Sequence, residues 1–186
     1  MNSNQRQISI LGCGWLGMPL ATALLQNGFL VKGSTTSENK IEELKDLGIA
    51  PYLINLSENG TEGDLPNFLE HSEILIIDIP PKLRGENKEN FVKKIANLIP
   101  DIEKSSVRKV LFVSSTSVYG NENAVVTEET LTTPETESGR QLVETENMLK
   151  SNAQFQTTIL RFGGLIGGDR QPGKYLAGKQ NLENPD

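Results

Sequence analysis

The feature that most constrains this chain is a spacing of three glycines, Gly12-x-Gly14-x-x-Gly17, in the string ILGCGWLG. It lies between an apolar run, Ile8 to Leu11, and a segment in which Leu16, Leu20, Ala23 and Leu24 share one helical face. A strand that turns directly into a helix needs each glycine for a different reason. Gly12 makes the tight turn, Gly14 removes the Cβ where an anion must approach the backbone, and Gly17 lets helix and strand pack closely. The helix start adds unpaired N–H groups and about half a positive charge. The pattern predicts a diphosphate cradle with Gly12, Gly14, Trp15, Leu16 and Gly17 as its residues, the Trp15 ring serving mainly for packing.

Apolar runs of strand length recur at Ile8–Leu11, Phe29–Val31, Tyr52–Ile54, Ile74–Ile77, Val110–Val113 and Thr158–Leu160. Helical spacing separates them, for example at Phe91, Ile95, Leu98 and Ile99, with a break or kink expected at Pro100. Aliphatic strands alternating with helices predict an α/β fold, a Rossmann-type doubly wound parallel sheet of about six strands with helices on both faces. With strand order 3-2-1-4-5-6, the first and fourth parallel strands are neighbours at the switch point, so the crevice opens beside Gly12 and Asp78.

That geometry assigns further residues to a dinucleotide. An NAD site usually carries Asp or Glu at the end of the second strand. Here the chain reads VKGSTTSENK, in which Ser34, Thr35 and Thr36 offer donors and Lys40 a charge for a 2′-phosphate, so NADP(H) is favoured over NAD(H). A helix-capping role for Thr36 or Ser37 is compatible with this. Ile79, Pro80 and Pro81, in DIPP after the fourth strand, would bring backbone against the cofactor, and Asn55 stands where an amide can meet the adenine edge or serve its own turn.

Composition excludes several classes. With 36% hydrophobic and 23% charged residues and a net charge of −6, the chain reads as an ordinary globular protein with no basic stripe for nucleic acid. The polar start MNSNQRQ is followed by only ISILG before the glycines, too short for a signal sequence or membrane span, which predicts a cytoplasmic protein. One cysteine, Cys13, and one histidine, His71, cannot assemble a structural zinc site, and His71 reads as a surface residue. A small-molecule substrate, no nucleic acid or membrane partner, and self-association as a homodimer are the expected interactions.

LFVSSTSVYG, Leu111 to Gly120, follows the fifth strand and places hydroxyls at the crevice mouth. Together with ILGCGWLGMPLA, SGRQLVETENML and LRFGGLIGGDRQPGKYLAGK, it makes the chain resemble the NAD(P)-dependent epimerase/dehydratase family of extended, atypical short-chain dehydrogenase/reductases. The resemblance implies a dinucleotide-binding domain, taken as residues 1–162, and the start of a substrate-side segment, 163–186, that looks truncated. It also implies that Ser115 hydrogen-bonds the substrate carbonyl or alcohol, with Thr116 and Tyr119 as further catalytic candidates.

The departures from the family are chemical. Where typical members carry Tyr-x-x-x-Lys on the fifth helix, this chain has Ser138-Gly139-Arg140-Gln141-Leu142, which lacks both the tuned phenol and the lysine. Arg140 can hold an anion but not relay a proton, and Arg161 or Arg170 can meet an anionic group on the substrate side. A literal Tyr175-x-x-x-Lys179 lies too far along the chain to replace the lost pair. Two functions follow: an oxidoreductase or epimerase acting on a hydroxyl or carbonyl compound, and a non-enzymatic NAD(P)-binding sensor or regulatory module.

Overall fold

The computed structural model describes residues 6–81, 83, 89–120 and 125–178, the side chains of residues 174 and 175 excepted. Among the described residues six strands form one parallel sheet: β1 (Gln7–Leu11), β2 (Leu30–Thr35), β3 (Ala50–Leu53), β6 (Ser72–Ile77), β7 (Lys109–Ser115) and β8 (Gln156–Phe162). Their order is β3-β2-β1-β6-β7-β8, the doubly wound arrangement, with the reversal between β1 and β6. Two short strands, β4 (Asn55–Ser57) and β5 (Gly60–Glu62), make an antiparallel hairpin absent from the sequence expectation. Its signal was the Ser57-Glu58-Asn59-Gly60 turn, in which Gly60 takes a φ of 148°.

The helices are α1 (Gly17–Gln26), α2 (Ile41–Asp46), α3 (Leu65–Leu69), α4 (Phe91–Lys104), α5 (Glu137–Lys150) and α6 (Pro172–Leu176). One core cluster joins Leu44 of α2 and Ala21 of α1 to Ile8, Ile10, Val31 and Ile76. The other joins Phe68, Phe91, Ile95, Leu98, Ile102, Leu142 and Leu149 of α3, α4 and α5 to Leu75, Ile77, Val110 and Phe112. Both faces of the sheet centre are therefore covered. β8 is the exception: it is an edge strand with no fully buried residue, and Leu160 is exposed.

Two local expectations change. The buried stripe of α1 runs through Gly17 and Ala21, a small-residue i, i+4 pair that lets the helix approach the sheet, with Leu20 and Leu24 beside it and Ala23 exposed. Pro100 does not divide α4, which continues from Phe91 to Lys104. Losing one backbone hydrogen bond is outweighed there by the fully buried stripe Ile95, Leu98 and Ile102. No helix among the described residues is long and apolar enough to cross a membrane.

Candidate dinucleotide site and its neighbourhood

The glycine turn is built from long-range backbone contacts. Gly12 sits at a φ of 106°, and a Cβ there would lie 2.3 Å from the Asp78 carbonyl oxygen, so no other residue fits. A Cβ on Gly17 would fall 2.2 Å from the Gly12 carbonyl oxygen, which is the close packing expected at the start of α1. Gly14 differs: a Cβ there meets nothing within 4 Å. Its glycine is required by neither strain nor packing, which leaves room for something outside the chain. The N–H groups of Trp15 and Leu16 have no acceptor among the described residues, whereas Gly17 N–H donates to the Asp78 carboxylate.

Two cavities meet at this turn. The first, of about 330 Å³, is lined by Gly12, Gly14, Ser34, Thr35, Thr36, Ser37, Lys40, Asn55, Ile79 and Pro80, with Lys94 at its side. The second, of about 460 Å³, is lined by Gly14, Trp15, Leu16, Ile79, Pro80, Pro81, Ser115, Leu142 and Arg170. Gly14 and Asp78 to Pro80 belong to both. The residues singled out in sequence for cofactor binding thus all line one cavity or the other, Gly17 excepted, which supports the turn from beneath.

Their chemistry is uneven. The Ser34 hydroxyl oxygen accepts Gly12 N–H at 2.9 Å and the Thr35 hydroxyl oxygen accepts Ser37 N–H at 3.1 Å, so both brace the turn while each keeps a hydroxyl proton to donate. Thr36 is exposed on the first cavity beside Lys40. Ser37 precedes the short 3-10 turn Glu38–Lys40 without a side-chain capping bond, and its hydroxyl pairs with Asn39 instead. Asn55 lines the cavity with its amide 3.5 Å from Glu62. The Cys13 thiol is buried beneath the turn, which pushes its pKa up to about 12 and leaves it inert near neutrality.

The second cavity receives Ser115 at the end of β7. Its hydroxyl oxygen accepts Ser117 N–H at 3.1 Å, capping the 3-10 turn Thr116–Val118 and leaving the hydroxyl proton available. Thr116 and Tyr119 are not with it. They line a third cavity, of about 440 Å³, beside β8. The Tyr119 hydroxyl donates to the Thr127 carbonyl at 2.9 Å and accepts from Arg161 at 2.7 Å. Arg140 is bonded to Glu137 at 3.0 Å and to the Glu135 carbonyl, and lines none of the three cavities. Arg170 does line the second, with its guanidinium 4.1 Å from the centre of the Trp15 ring.

Three arrangements were invisible in sequence. Glu146 of α5, 1% exposed, accepts from Ser114 Oγ at 2.6 Å and pairs with Arg161 at 2.6 Å, holding that arginine's charge above its ordinary range. Trp15 Nε1 donates to Asp169 at 2.7 Å across 154 positions of sequence, clasping the loop after β8 to the glycine turn. Leu142, at the place of the family lysine, is buried and forms part of the second cavity's wall. Of the literal Tyr175–Lys179 pair, Lys179 lies outside the described residues. Among the described residues no group of three His, Cys, Asp or Glu side chains is arranged for a metal ion.

No family model matches the sequence. It is 35% identical over 175 residues to Protein YeeZ of Escherichia coli K12, an alignment covering 94% of this chain and 64% of YeeZ. The chain is thus similar to YeeZ over most of its own length. Among solved structures, a conserved protein of unknown function from Silicibacter pomeroyi matches with a TM-score of 0.73 at 24% identity, over 94% of this chain and 58% of the other. UDP-glucuronic acid 4-epimerase from Bacillus cereus, solved with NAD, matches with a TM-score of 0.71 at 21% identity, over 90% and 59%. The chain therefore shares the fold of these two structures and spans under two thirds of the length of YeeZ and of each of them.

Proposed function

We propose that this chain is the NAD(P)-binding part of an epimerase/dehydratase-type protein, with NADP(H) the preferred cofactor. The observation that carries the reading is the Gly14 position, where a missing Cβ leaves open the junction of two cavities beside the start of α1. A dinucleotide has two halves joined by a diphosphate, and the Trp15 and Leu16 N–H groups stand at that junction. The first cavity would take the adenosine side, with Thr36 and Lys40 beside a 2′-phosphate and Asn55 near the base. The second would take the nicotinamide side, and the bound cofactor would supply hydride transfer there.

In this reading Ser115, which lines the second cavity, is the residue that acts on a substrate. Its free proton can be donated to a carbonyl or alkoxide oxygen, while Arg170 gives an anionic substrate group a partner. Leu142 supplies no charge where the family lysine would stand, so in this reading Ser115 orients and polarises the substrate by hydrogen bonding. A second reading, a cofactor-binding sensor without turnover, is favoured by that same apolar wall at Leu142.

A calorimetric titration with NADP⁺ and NAD⁺ at one salt concentration tests the cofactor. Binding of NADP⁺ at least tenfold tighter than NAD⁺ is expected, and equal affinities would remove the assignment of Thr36 and Lys40. Ser115→Ala separates the two functions: lost turnover with unchanged cofactor affinity supports the enzyme, and an undisturbed cellular activity supports the sensor.

A further inference from the structure

Asp78 occupies an unexpected position for a group beside a diphosphate cradle. Its carboxylate accepts Gly17 N–H at the start of α1, lies 3.0 Å from the place a Gly17 Cβ would take, and borders both cavities. It is the protein's own anion at the positive end of that helix. A carboxylate and a diphosphate cannot share such a place cheaply, because like charges within a few ångströms disfavour one another's ionised forms.

We propose that Asp78 couples dinucleotide binding to uptake of one proton, so that the cofactor settles against α1 with the Asp78 carboxyl neutral. The inference rests on the dinucleotide reading above and adds to it a residue that sets when the site accepts its ligand. The balance is simple: one proton moves from solvent to the Asp78 carboxylate as the dinucleotide binds, and returns on release. The Gly17 N–H bond survives either protonation state, since the second carboxyl oxygen can carry the proton.

The surroundings allow it. Burial already lifts the Asp78 pKa to about 6 in the free chain, opposed by the Gly17 hydrogen bond. Facing it from the glycine turn is the Cys13 thiol, neutral throughout the relevant range. Lys40 and Lys94 flank the first cavity, where Lys94 is paired with Glu89, and Arg170 flanks the second, over Trp15. From β7 come the uncharged Ser114 and Ser115, and from α5 the apolar Leu142. A bound diphosphate raises the Asp78 pKa further, so affinity is highest below about pH 6 and falls as pH rises towards the higher pKa of the complex, by up to about tenfold per pH unit.

The test is titration of this chain and of Asp78→Asn with NAD⁺ and NADP⁺ at pH 5.5, 7.0 and 8.5, in pairs of buffers of different ionisation enthalpy. Uptake approaching one proton per NAD⁺ near pH 7, absent in Asp78→Asn, and at least tenfold tighter binding by that variant at pH 8.5 are expected. NADP⁺ adds the titration of its own 2′-phosphate, which persists in the variant and is subtracted by it. Affinity independent of pH with no proton uptake overturns the proposal while leaving the cofactor reading intact. Absence of binding by both proteins at every pH overturns both. Carboxyl ¹³C chemical shifts of Asp78 in the free natural chain report the titration directly, and an amide spectrum of Asp78→Asn matching that of the natural chain shows that the variant is folded.

Discussion

The two halves of the crevice are assembled in opposite ways. On the β1–α1 side, one contiguous string supplies strand, turn and helix start, and its glycines answer to backbone contacts a few residues away or to Asp78. On the β7–α5–β8 side, the structure depends on side chains brought from distant positions, Ser114 to Glu146 to Arg161 to Tyr119. The first half leaves its N–H groups open to a ligand, whereas the second turns most of its polar groups inward on each other. A local motif can build a binding cradle, while chemistry on the far side needs groups that this chain has committed to architecture or replaced.

The largest expected effect tests the inward-turned half. Glu146→Ala leaves the Arg161 charge and Ser114 Oγ without their buried partner and should destabilise the chain by roughly 3 kcal/mol, measured by urea unfolding. A loss under about 0.5 kcal/mol would show that water replaces the carboxylate and would erase the contrast between the halves. Gly14→Val attacks the open half and should weaken dinucleotide binding by about a hundredfold or more, equivalent to about 2.7 kcal/mol, with little change in the unfolding midpoint. Equal loss of stability would mean that Gly14 is needed by the fold and not by a ligand.

Smaller effects sharpen the same contrast. A carboxyl whose folded pKa is raised contributes stability below its unfolded pKa, near 4, that is lost as pH rises through the folded value of about 6. Asp78→Asn, which removes that titration, should therefore be more stable than the natural chain by about 1 kcal/mol at pH 8, after allowance for solvent screening of a partly exposed group. The gain should vanish by pH 4. Trp15→Phe breaks the bond to Asp169 and should cost about 1 kcal/mol, seen as faster hydrogen exchange in residues 163–170 with the sheet unaffected.

Much of this was legible in the sequence for a physical reason. Apolar runs and their spacing report burial, so the six parallel strands and their order follow from ILIID-type cores such as Ile74–Ile77 alternating with amphipathic helices. The β4–β5 hairpin escaped because two three-residue strands carry too little periodicity to read. For Ser34 and Thr35, read as ligand donors, the structure adds a role that a hydroxyl does not reveal in sequence, since their oxygens accept Gly12 and Ser37 N–H. Arg140 and Tyr119 were read from family position, which does not reveal that Glu137 and Arg161 occupy them. Asp78 was placed at the crevice, but its carboxylate at the start of α1 depends on the β1–β6 register, which only the folded sheet displays.

The central claim is that the junction at Gly14 is a dinucleotide site. Following backbone amide resonances of the isotopically labelled chain while adding NADP⁺ tests it most directly. The account predicts saturable shifts concentrated at Gly12 to Gly17, Thr36, Ile79 and Ser115, with the β8-side residues Thr127 and Lys150 unmoved. Absence of shifts at the glycine turn, or shifts confined to the third cavity beside β8, would contradict it.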